Sequence, residues 1–169
     1  ASADHELYKT EATHLALKFN TAGAYFLHSD SWFGQSETFL GADTDTWREF
    51  GAEVGLAWEY ARGQSTWFAE LSGVYTATGG DDASGLTIGE DDSDQANTEQ
   101  AHMGWRYDDP LAGLEEDTFS LSVGRQDYMI GTGLLIADGG SDGGEDGGWY
   151  LAMRKAFQDH VRADLGKMA

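Results

Sequence analysis

The chain has no cysteine and a single proline among its 169 residues. Without thiols, neither a disulfide nor a thiolate metal site can form. Basic side chains are also scarce: ten Lys and Arg stand against 30 Asp and Glu, for a formal net charge of −20. A surface that acidic repels phosphate, which excludes nucleic-acid binding. No run of 18 apolar residues occurs, so no transmembrane helix is encoded. The mean hydropathy of −0.47 does not exclude a membrane β-barrel, whose polar lumen residues and loops dilute the signal. What the chain does have is glycine, 23 residues, and 12% aromatic side chains. Its length suits one domain. No signal peptide is visible, and the start Ala1-Ser2-Ala3-Asp4 suits a mature N-terminus left by cleavage.

The clearest pattern lies at residues 47–78. Phe50, Ala52, Val54, Leu56, Trp58 and Tyr60 fall on one face of an extended chain, and Glu49, Gly51, Glu53, Gly55, Ala57 and Glu59 on the other. Only period two separates these sets. After the turn Ala61-Arg62-Gly63-Gln64, Trp67, Ala69, Leu71, Gly73 and Tyr75 alternate with Phe68, Glu70, Ser72, Val74 and Thr76. The spacing predicts an antiparallel hairpin with arms about twice the usual ~5–6 residues. Long arms, an apolar face with Trp and Tyr near its ends and a charged opposite face are what a membrane-spanning strand requires.

Similar alternation predicts strands at 14–28, 98–107, 118–126 and 148–158, about six in all with the hairpin. Residues 1–13 read as a polar arm and 159–169 as an undecided tail. The connections 29–45, 79–97 and 127–148 are long, acidic and glycine-rich, whereas 61–64 and 108–117 are shorter. Long-short alternation is the habit of outer-membrane barrels. The expected fold is therefore all-β, an antiparallel up-and-down transmembrane β-barrel across 14–158. The alternative is a secreted, soluble β-sandwich that binds carbohydrate through Trp and Tyr, with Ca²⁺ on its acidic loops.

The run Phe119-Ser120-Leu121-Ser122-Val123-Gly124-Arg125-Gln126-Asp127, then Gly131-Thr132-Gly133-Leu134-Leu135-Ile136-Ala137-Asp138-Gly139, together with the hairpin from Trp47-Arg48-Glu49, resembles the N-terminal part of outer-membrane porins of the alginate-export type. The resemblance spans roughly residues 14–158. It implies a Gram-negative outer-membrane porin or export channel passing polar or anionic solutes, polysaccharide among them, by passive diffusion, in contact with lipid and lipopolysaccharide. Members of that family are longer, and this chain ends Gly166-Lys167-Met168-Ala169 without their terminal aromatic strand. The expectation is an incomplete barrel whose remaining strands come from a longer chain or another chain, because open edges in lipid leave backbone groups unpaired. A closed eight-stranded barrel is the alternative.

Parity assigns Lys18, Asn20, Glu53, Glu59, Glu70, His102, Arg106 and Arg154 to the lumen, where charged residues set which ions pass. Glu49 shares that face. The resemblance makes Lys18, Arg106 and Arg154 the contacts for an anionic solute. Arg125 faces lipid by strict parity, unless Gly124 marks a bulge that turns it inward. Opposed charges on neighbouring strands also pair simply for stability. Glu53, Glu59 and Glu70 could supply the two carboxylates of glycoside hydrolysis, but nothing else marks an active site and no catalytic residue is assigned. The five histidines lack metal-ligand spacing. Asp138, Asp142, Glu145 and Asp146 lie in a glycine-bent, oxygen-rich loop that is a candidate for weak Ca²⁺ binding, although it does not match an EF-hand.

Overall fold

The computed structural model describes residues 2–29, 44–80, 93–108, 118–129, 132, 148, 151 and 153–166. They form seven strands: β1 (Ser2–Lys9), β2 (Thr13–Ser29), β3 (Thr44–Arg62), β4 (Ser65–Gly80), β5 (Ser93–Asp108), β6 (Thr118–Gln126) and β7 (Phe157–Gly166). All seven belong to one sheet in sequence order, each antiparallel to the next. The sheet is open, with β1 and β7 as its edges. A sandwich needs a second sheet, and the described residues contain one sheet only.

The central ribbon follows directly from its residues. β2 and β3 pair without a slip from Thr13↔Tyr60 to Ser29↔Thr44. β3 and β4 pair from Trp47↔Gly80 to Arg62↔Ser65. Their turn is the two residues Gly63-Gln64, and Gly63 has φ 62°, a conformation that side-chain-bearing residues avoid and two-residue hairpin turns require.

Side chains separate by face as the alternation predicts. Phe50 is 47% exposed, Val54 55%, Leu71 63% and Val161 69%. Leu56, Trp58, Trp67, Met103, Leu121 and Val123 are exposed on the same convex face. The concave face is polar yet buried: Glu49, Thr66, Ser72, Thr76, Glu99, Gln100, Ser120, Ser122 and Gln126 are all shielded from solvent. This inverts the rule for a protein in water, where large apolar side chains are the most often buried and Glu almost never is unless paired.

Three expectations need correction. The described residues hold seven strands rather than about six, because residues 2–9 of the supposed arm form β1. That strand pairs with β2 through an irregularity between Glu6 and Tyr8, so Leu7 and Tyr8 are exposed in succession and the alternation is hidden. The last strand is not 148–158 but β7, in the tail left undecided. There Val161, Ala163 and Leu165 point outward, and Asp159, at φ 31°, interrupts the pattern. Residues 148, 151 and 153–156 instead cross the concave face, and their apolar side chains alternate for another reason: Met153 Sδ fills the space that a side chain at Gly51 would occupy.

Candidate functional site: the polar concave face

Two irregularities deliver the charged groups at the centre of this face. Between Leu71↔Ala101 and Gly73↔Thr98 the register slips, so Ser72 stands opposite both Glu99 and Gln100. Such a bulge lets two successive residues share one face, and both are buried. Ser72 Oγ accepts the Gln100 N–H at 3.0 Å and donates to Glu53 Oε1 at 2.7 Å. The second slip lies between β6 and β7, where Arg125 stands opposite both Gln158 and Asp159. Beside it Gly124 has φ 123°, open to glycine and strained for other residues. Arg125 Nε donates to the Glu99 carbonyl at 2.9 Å, and its Nη2 lies 3.7 Å from Glu99 Oε2. The inward turn conditional on a bulge at Gly124 is thus present.

Glu49 and Glu99 hold the inner segment. The Leu151 N–H donates to Glu49 Oε2 at 3.0 Å, and Trp47 Nε1 donates to Glu49 Oε1 at 3.1 Å. Glu99 Oε1 accepts the N–H groups of Lys155 and Ala156 at 2.6 and 2.8 Å. The Gly148 N–H donates to Thr78 Oγ1 at 2.7 Å. Burying a carboxylate is costly unless it is paired and hydrogen-bonded, and these are: Glu99 is 2% exposed and Glu49 3%. Sequence parity missed Glu99, because the bulge reverses its face.

Toward the Gly63 turn from this segment lies a polar cleft of about 250 Å³. Lys18 of β2, Glu70 of β4, His102 of β5 and Arg162 and Asp164 of β7 all line it. Strands near opposite edges of the sheet therefore face the same space, so the sheet curls strongly around it. Lys18 Nζ sits 2.6 Å from Glu70 Oε1, and Arg162 Nε 2.7 Å from Asp164 Oδ2. Gln100 Nε2 donates to Asp127 Oδ1 at 2.8 Å. His102 packs edge-on against Phe68, with ring centroids 6.2 Å apart.

The remaining sequence candidates fall at the margins of this space. Asn20 is half-buried opposite Glu53. Glu59 is exposed, near the turn that joins β3 to β4. Arg106 Nε lies 3.9 Å from Asp108. Arg154 is half-buried on the inner segment, not on a strand. Asp138, Asp142, Glu145 and Asp146 lie outside the described residues, among which no group of three His, Asp or Glu could hold a metal ion. Arg162 and Asp164 were missed because β7 was. Comparison with protein-family models, with curated proteins and with solved structures finds no match to this chain.

Proposed function

We propose that this chain forms the wall of an outer-membrane β-barrel channel through which small polar solutes diffuse passively. The observation that carries the reading is the inversion of the two faces, apolar outward and polar inward. Its dimensions fit a bilayer. Trp58 and Tyr60 of β3, Trp67 of β4 and Trp105 and Tyr107 of β5 share the outward face toward the short-turn end; Trp58 stacks on Tyr60, and Trp105 lies tilted against Trp67 and Tyr107. Tyr25, Phe50 and Tyr75 form a second aromatic level. Phe50 and Tyr60 are ten residues apart, roughly 33 Å along a strand, or about 25 Å once the strand tilts by about 40° as barrel strands do. That is the height of the apolar band between aromatic girdles.

The short connections 10–12 and 63–64 share one end of the sheet, and the longer 30–43 and 81–92 share the other. In a barrel the short-turn end faces the periplasm. Edges β1 and β7 cannot face lipid unpaired, so further strands, from a longer chain or another chain, join them. The chemistry asked of the protein is only a water-filled path, narrowed by the inner segment. Reconstitution into lipid vesicles tests this: the protein inserts, resists carbonate extraction and makes the vesicles permeable to small polar solutes. A chain that stays monomeric and soluble without detergent, and leaves vesicles sealed, defeats the proposal.

A further inference from the structure

We infer, taking the channel reading as premise, that the interior passes cations in preference to anions. Among the described residues, five basic side chains that the strands turn inward each face a carboxylate: Lys18 with Glu70 at 2.6 Å, Arg162 with Asp164 at 2.7 Å, Lys9 with Glu6 at 3.0 Å, Arg125 with Glu99 at 3.7 Å and Arg106 with Asp108 at 3.9 Å. An anionic solute would have to compete with a fixed carboxylate for each of them. The converse does not hold. Glu53 takes a hydrogen bond from the neutral Ser72 hydroxyl, and Asp127 takes one from the neutral Gln100 amide. Neutral donors satisfy a carboxylate's lone pairs without neutralising its charge, and the cation that Glu53 also feels, Lys18, is already held by Glu70.

The balance is local. The cleft is lined by the carboxylates of Glu70, Asp127 and Asp164 against the cations of Lys18 and Arg162. On the inner segment Lys155 is exposed and Arg154 half-buried, and these two basic residues work in the opposite direction. The chain's net charge of −20 adds a long-range field that concentrates cations and repels anions at a pore mouth. Uncompensated Asp and Glu lining a pore are how cation-selective channels choose the sign of what they pass. The substrate class that follows is small inorganic or organic cations and neutral polar solutes. The anionic polymer that the sequence resemblance implies is disfavoured.

The experiment is the reversal potential of the purified barrel, this chain together with the strands that pair β1 and β7, in a planar bilayer under a KCl gradient. The expected sign is that of K⁺ preferred over Cl⁻. Asp127→Asn and Glu53→Gln should each lower the K⁺/Cl⁻ permeability ratio by about fivefold, since one charge acting through water at roughly 8 Å is worth a Boltzmann factor of a little over two for K⁺ and its inverse for Cl⁻. Glu70→Gln, which releases the Lys18 ammonium, should lower it at least as much. Wild-type pores that conduct but prefer Cl⁻ would overturn this inference and leave the channel reading intact. Bilayers that show no conductance would overturn the channel reading and this inference with it.

Discussion

The convex and concave faces of the sheet come from the same strands, residue by residue, yet they are built on opposite rules. On β4, Leu71 is exposed and its neighbour Ser72 is buried. Among the described residues no second layer covers the apolar side chains of the convex face. The concave face is cross-linked by polar contacts: Ser72 with Glu53 and Gln100, the Glu99 carbonyl with Arg125, and the Glu99 carboxylate with two backbone N–H groups. In water, exposed apolar patches beyond a few hundred Å² mark a surface meant for something else. In lipid the same face is the solvated one, and the polar groups must then be satisfied internally. The difference teaches that hydrogen bonding within the concave face ties the strands and the inner segment together, and on the proposed channel reading the convex face contributes through contact with lipid.

The largest expected effect comes from breaking the interior. Glu99→Ala removes the acceptor for two N–H groups and leaves the Arg125 guanidinium, 11% exposed, without its countercharge. Removing one partner of a buried pair costs about 3–5 kcal/mol. The unfolding midpoint in detergent micelles should drop accordingly. Glu99→Gln, which keeps an acceptor oxygen, should lose less.

The next effect sharpens the contrast from the other side. Leu71→Arg should destabilise the protein by about 2–4 kcal/mol in vesicles if the residue sits near the bilayer midplane. At an exposed position in water the same change stays within about 0.5 kcal/mol. Unfolding by denaturant from vesicles distinguishes the two.

A smaller effect is expected at the join between face and inner segment. At Gly51 any side chain would meet Met153 Sδ. Gly51→Val should therefore displace the segment and cost about 1–3 kcal/mol, as overpacking does. Hydrogen exchange should find the Leu151 and Ala156 amides less protected, while the β2–β3 ladder keeps its protection.

Much of this was legible in the sequence, and the residues show where legibility stopped. The strands β2, β3, β4 and β6 were readable because their alternation is unbroken and aromatic, so parity alone assigned Glu49, Glu53, Glu70 and Lys18 to the concave face. The missed strands and the missed Glu99 share one physical cause, a break in the regular alternation. A slip hid β1 at Leu7–Tyr8, another turned Glu99 inward, and Asp159 concealed β7 with its Arg162 and Asp164. Period-two reasoning cannot follow a strand through a bulge, and bulges gather where a side chain must be re-aimed. The inner segment imitated a strand because Leu151 and Met153 alternate with Tyr150, Ala152 and Arg154. No short-range pattern reveals that its N–H groups go to Glu49 and Glu99, 102 and 56 or 57 residues away. Arg125 was the exception, since Gly124 beside it signalled the inward turn.

The most direct measurement uses the absence of native cysteine. Single cysteines introduced in turn from residue 66 to residue 76 of β4, spin-labelled and reconstituted in vesicles, report contact with lipid through collisions with oxygen and contact with water through collisions with a polar nickel complex. The account predicts strict alternation. Labels at 67, 69, 71, 73 and 75 should meet oxygen, and those at 66, 68, 70, 72, 74 and 76 should not. Labels at the odd positions that meet the nickel complex, or that are shielded from both reagents, would contradict it.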